Sequence, residues 1–233
     1  MIRLVRRVEM PVPTLAGWGV VVVILLSVSV VFIGTVHPFL AVDQPLGSGS
    51  LVVEGWMSRK EVLDTITLFE SEGYDRIYTT GGPIPQGSYL ALLYPNHKTH
   101  AEIAANQFRQ AGVTEDRVVA APRGLVVSHR TYFSALALRL KLVADGLVGR
   151  QIDILTAGTH ARRSRLLYQA ALEDVAKVGV KAIPPTSYDP DRWWTSSSGV
   201  RTVIGETIAY CYAKFLFYPN IERDIAQLEL AQN

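Results

Sequence analysis

The sequence predicts an α/β protein: a three-layer α/β/α domain of about five mainly parallel strands, preceded by one N-terminal transmembrane helix. Three observations predict it. Short apolar runs alternate with helix-length amphipathic segments from residue 50 onward, the pattern of a parallel sheet covered on both faces. Glycine and proline punctuate the ends of those runs. No charged residue occurs between Thr14 and Val36.

The apolar stretch comes first and matches the roughly 20 residues that a bilayer span requires. Arg3, Arg6 and Arg7 precede it, and His37 to Ser58 contains no Lys or Arg, so the positive-inside rule expects residues 1–13 in the cytoplasm and the bulk of the chain outside the inner membrane. A cleaved signal peptide is the competing reading. Its apolar region would be only about 7–15 residues long, and no small-x-small site follows directly, which favours an uncleaved anchor over 14–36. Residues 37–49 carry Pro, Gly and Ser without periodicity and predict a linker with a reach of roughly 45 Å.

The α/β domain is expected over 50–219, with 220–233 as a tail. Strands are predicted at Leu51–Glu54, Arg76–Thr80, Arg117–Ala121, Ile152–Thr156 and Val178–Pro184. Helices are predicted at Arg59–Gly73, Thr99–Gly112, Ser128–Gly146 and 160–175, with a loop over Ile84–Lys98. Trp193 to Pro219 holds an apolar helix interrupted by Glu206 and Lys214 and too short for a second span. It packs on the sheet or lies at the bilayer surface through Phe215, Phe217 and Tyr218.

In open parallel sheets ligands sit beyond the carboxyl ends of the strands. There the sequence places Glu54, then Gly81 and Gly82, then Thr156 to Ser164. Thr159 is the expected N-cap of the next helix, and His160, Arg162 and Arg163 fall in its first turn. Cations there oppose the helix dipole by about 0.3–1 kcal/mol each, so an anion or a carboxylate is expected among them. Ser128 is the expected N-cap of the preceding helix, where Arg130 repeats the anomaly beside Thr131. Glu54, after an apolar run, needs a partner: Arg162 or Arg163 is the internal candidate, and a ligand-facing, catalytic role is the alternative. His160 is the best candidate acid or base, its ordinary titration being near neutrality. Glu102 early in its helix suits either a cap or a ligand, and Glu206 either a buried pair or catalysis.

Other classes find little support. Net charge is +2 with acids and bases interspersed, which gives no nucleic-acid surface. Cys211 is the only cysteine, so no internal disulfide forms, and the five histidines show no zinc spacing, His97 and His100 included. G-x-G-x-x-G after the first strand, the Walker pattern and G-x-S-x-G are all missing. No metal and no cofactor is expected.

The segments Leu-Val-Val-Glu-Gly-Trp (51–56), Thr-Thr-Gly-Gly-Pro (79–83), Ser-His-Arg-Thr-Tyr-Phe-Ser-Ala (128–135) and Leu-Thr-Ala-Gly-Thr-His-Ala-Arg-Arg-Ser (155–164) together resemble the bacterial domain of unknown function shared by SanA, ElyC and YdcF. The resemblance covers roughly residues 50–217 and is strongest over Thr156–Ser164. Arg130 and Ser134 stand where that family usually has asparagines, and Glu54 replaces a small or apolar residue. These departures point to a subfamily with a different ligand. The transferable positions are Gly81, Gly82, Glu102, Thr131, His160 and Arg163.

The resemblance implies a Rossmann-like fold and a role in cell-envelope biogenesis, with links to peptidoglycan, surface polysaccharide and the polyprenyl-phosphate carrier. One member of that family has been described as binding S-adenosylmethionine. The expectation is a membrane-anchored protein that binds a phosphorylated glycan or polyprenyl-phosphate-linked intermediate, with or without hydrolysis or transfer. The alternatives are a non-catalytic scaffold among envelope assembly proteins and a nucleotide-type binder.

Overall fold

Strand β1 (Ser50–Glu54) alternates its side chains between the two faces of a sheet: Val52 enters one apolar cluster, while Leu51 and Val53 enter the other. The computed structural model describes residues 11–230. Around β1 lie β2 (Arg76–Gly81), β3 (Val118–Pro122), β4 (Arg150–Ala157) and β5 (Ala176–Ile183), all parallel, in the order β3-β2-β1-β4-β5. This is a Rossmann-like sheet.

Helix α1 (Leu15–Leu40) precedes the sheet, and α2 (Arg59–Ser71), a short α3 (Tyr89–Leu93) and α4 (His100–Gln110) fall between β1 and β3. Then come α5 (Arg130–Ala144), α6 (Ala161–Ala171), α7 (Ser197–Phe215) and α8 (Ile221–Leu230). Phe69 of α2 and Phe108 of α4 fill one face of the sheet, whereas Leu136 of α5 and Tyr168 of α6 fill the other. The helices change face because the chain runs outward from β1 to β3 and then returns to β4, and right-handed crossovers put the two directions on opposite sides. That reversal leaves a switch point between the carboxyl ends of β1 and β4.

The chain divides into two compact units, 1–36 and 37–233. Helix α1 is apolar on all sides and long enough to cross a membrane, a length and composition that a signal sequence shares. Arg3, Arg6 and Arg7, which carry the topology argument, lie outside the described residues.

Several boundaries differ from expectation for physical reasons. Residues 37–49 are no free linker. His37 to Leu40 complete α1, Gln44 exchanges backbone bonds of 2.8 and 3.1 Å with Val180, and the amides of Leu46 and Gly47 each donate at 2.8 Å to the buried Asp153 carboxylate. Gly179 on the neighbouring strand leaves the space that this carboxylate occupies. Ser128 does not cap α5. His129 takes the N-cap position with φ 53° and no side-chain cap bond. Thr159 does not cap α6 either, because Gly158–His160 forms a 3₁₀ turn and the helix starts at Ala161. The expected loop holds α3, started by Ser88, whose Oγ accepts from the Ala91 amide. The segment from Ile221, expected as a tail, is helix α8, which buries Leu228 against α5.

Candidate functional site

A cleft of about 1080 Å³ opens at the switch point. Glu54, Gly81, Gly82, Arg130, Thr131, His160 and Arg163, picked out separately from the sequence, all line it. Glu54 is 3% exposed at the end of β1. Neither Arg162 nor Arg163 partners it. Thr156, at the end of β4, donates its hydroxyl to one carboxylate oxygen, and Ser164 of α6 donates at 3.1 Å to the other. Thr156 and Ser164 therefore hold Glu54 from behind and do not face the cleft.

His160 stands between two carboxylates. Its Nδ1 lies 2.9 Å from Glu206 of α7, its Nε2 lies 3.6 Å from Glu54, and its ring meets Trp56 edge-on at 5.1 Å. Arg163 donates to Glu206 through Nε at 2.8 Å and Nη2 at 3.0 Å, and its Nη1 donates to Thr131 at 3.4 Å. Nη2 is also 2.8 Å from His160 Nδ1, so the imidazole tautomer decides whether Nδ1 donates to Glu206 or accepts from Arg163. Burial pushes the Glu206 carboxyl up, but the bonds from His160 and Arg163 outweigh it and hold the group at about 2. Glu206 is thus a fixed anion. The arrangement can take a proton at one imidazole nitrogen while the other is held by a charge.

The remaining arginines of α6 turn away. Arg162 donates to the Phe39 carbonyl and lies over that ring at 4.0 Å, and Arg165 reaches Gln44. Glu102 is occupied at the start of α4, where it accepts from the Lys98 and Thr99 amides while the Thr99 hydroxyl accepts from the Glu102 amide. Neither Glu102 nor the buried Thr159 lines the cleft.

The opposite wall holds a cation that the sequence reading missed. Arg123, just past the end of β3, is 9% exposed and lines the cleft. Its Nη1 donates to the Gly124 carbonyl at 2.9 Å, its Nε has no partner, and no carboxylate pairs with it among the described residues. The guanidinium fills the space where a side chain on Gly82 would stand. Burial, and then the charge of Arg130, disfavour the Arg123 cation, which nevertheless stays charged at neutral pH. Arg130, exposed on the same cleft, has no ion partner among the described residues. Burial, Arg123 and Arg130 together lower the His100 imidazole below its ordinary titration range, so it is neutral at pH 7. A signal for Arg123 was present in Ala-Ala-Pro-Arg-Gly, a cation directly after an apolar strand, the same cue that singled out Glu54.

Beside these cations His129 holds the only positive φ of a non-glycine among the described residues. Its ring stacks on Phe217 at 4.4 Å and on Tyr212 at 5.8 Å, which orders the turn that presents Arg130. The histidines do not gather as a metal site, and no cluster of three or more His, Cys, Asp or Glu suited to a metal ion occurs among the described residues. In comparisons with known proteins, the chain matches no protein-family model and no curated protein.

Proposed function

We propose that this is a membrane-anchored protein of cell-envelope biogenesis that binds a phosphorylated glycan or polyprenyl-phosphate-linked intermediate in the switch-point cleft. One observation carries the reading: the buried Arg123 lines the cleft with an unpartnered Nε and, among the described residues, no counter-anion, beside Arg130, a second cation with no ion partner among them. A buried, unpaired charge is costly, and a ligand phosphate removes that cost with charge-assisted bonds worth about 1.5–3 kcal/mol each. Arg123 replaces Arg163 in the clamp first expected from the sequence, because Arg163 is already neutralised by Glu206.

In this reading Gly82 leaves room for the clamp and His160, backed by Glu54 and Glu206, supplies or removes a proton at the bound group. The chemistry is binding, or binding followed by hydrolysis or transfer. The resemblance to the SanA, ElyC and YdcF domain supports an envelope role, and the apolar α1 supports an anchor in the inner membrane with the domain outside it. The test is titration of the full chain in detergent with a polyprenyl-phosphate sugar. Arg123→Gln and Arg130→Gln are each expected to weaken binding at least tenfold; unchanged affinity in Arg123→Gln ends the proposal.

A second reading, a non-catalytic scaffold within an envelope assembly complex, draws on Arg163 being closed onto Glu206. It requires that the cleft bind no anion at all, so the same titration separates the two.

A further inference from the structure

Helix α7 shows two unlike faces. Thr202, Gly205, Glu206 and Ala209 line the cleft. On another face Val200, Ile204, Cys211 and Phe215 recur at the spacing of a single stripe, with Ile208, which also lines the cleft, at its border, and all five are exposed, Ile208 and Phe215 to 66% and 64%. Arg201 and Lys214 flank that stripe. The only acid of the helix, Glu206, is turned inward onto Arg163 and His160. Of the residues that the sequence nominated for the bilayer surface, Phe215 and Tyr218 are outside, whereas Phe217 stacks on His129.

The covalent chain says what covers this stripe. Phe39 stands three residues after Val36, where the apolar segment ends, and it meets Tyr210 of α7 edge-on at 5.5 Å. Arg162 adds a third cation over the same Phe39 ring. An apolar stripe bordered by cations and ending in exposed aromatic residues is the pattern of a helix lying in a membrane interface.

We infer that the outer face of α7 rests in the interfacial layer of the bilayer that α1 enters, with Val200, Ile204, Ile208 and Phe215 among the acyl chains and Arg201, Lys214 and Arg162 at anionic headgroups. The occupant of this face is lipid, and the inference takes α1 as the anchor without needing the cleft to bind an anion.

Cys211 lies within the stripe and is the only cysteine, so it serves as the probe. The full chain, labelled there with an environment-sensitive nitrobenzoxadiazole and reconstituted into vesicles of phosphatidylcholine and phosphatidylglycerol, is expected to show blue-shifted emission that nitroxide lipids quench and aqueous iodide does not. The same label on the exposed Lys177 position, introduced as Cys211→Ser with Lys177→Cys, is expected to behave as in water. Ile204→Glu with Ile208→Glu is expected to move the Cys211 label toward the aqueous signal. Aqueous emission from Cys211 in a protein that floats with the vesicles overturns the inference while leaving the anchor intact. Failure to float overturns the anchor and the inference together.

Discussion

Arg123 and Glu206 illustrate how one cleft treats opposite charges. Glu206 receives two bonds from Arg163 and lies 2.9 Å from His160 Nδ1, whereas Arg123 donates to no carboxylate among the described residues. Because the folded carboxyl titrates at about 2 against an ordinary 4.5, Glu206 contributes stability that is complete above pH 5 and is lost as pH falls toward 2. The contribution is about 3 kcal/mol at neutral pH, of which roughly 2 kcal/mol is gone by pH 3. Urea unfolding of the full chain and of Glu206→Gln is expected to show a gap at pH 7 that narrows at pH 3. His100 offers a test with the other sign. Its protonated form is disfavoured by burial, Arg123 and Arg130, so a phosphate bound between those arginines is expected to raise its titration, readable by histidine NMR. Gly82→Ala places a methyl group in the guanidinium's space and is expected to weaken anion binding while the fold survives.

At the scale of elements, helix starts carry most of the difference between expectation and structure. Thr99 and Glu102 close a reciprocal capping box on α4. Glu102→Ala is therefore expected to cost about 1 kcal/mol in a thermal melt and to leave anion affinity unchanged; a loss of affinity returns Glu102 to the ligand site. The arginines at the start of α6 were legible as an electrostatic anomaly, and the structure resolves it twice within the fold, through the Phe39 carbonyl and through Glu206. No local rule could name those partners, because Phe39 and Glu206 are distant in sequence and meet α6 only after the chain has folded back. The strands and their carboxyl-end residues were legible for the opposite reason. Leu51–Glu54 and Ile152–Thr156 declare themselves by apolar composition, and parallel topology then brings Glu54 and Thr156 to neighbouring strand ends. His129 was legible only as part of a motif, since the rings of Tyr212 and Phe217 on which it stacks lie far along the chain.

For the whole molecule, Asp153 on β4 joins residues 44–47 to the β4–β5 side of the sheet. It accepts from the amides of Leu46 and Gly47 and, at 2.9 Å, from the Tyr74 hydroxyl. Asp153→Ala leaves these donors unpaired and is expected to lower stability by about 2–4 kcal/mol, with early proteolytic cleavage between residues 41 and 49. Composition predicted a linker here because Pro, Gly and Ser lack periodicity. It could not show that such a stretch has a carboxylate waiting for its backbone.

That carboxylate also sets a timetable. The Leu46 amide finds its acceptor 107 residues later in the sequence, and Gln44 finds Val180 later still. While the ribosome is still making β4 and β5, residues 44–47 have nothing to pair with, so this margin of the sheet can close only after β5 has been made.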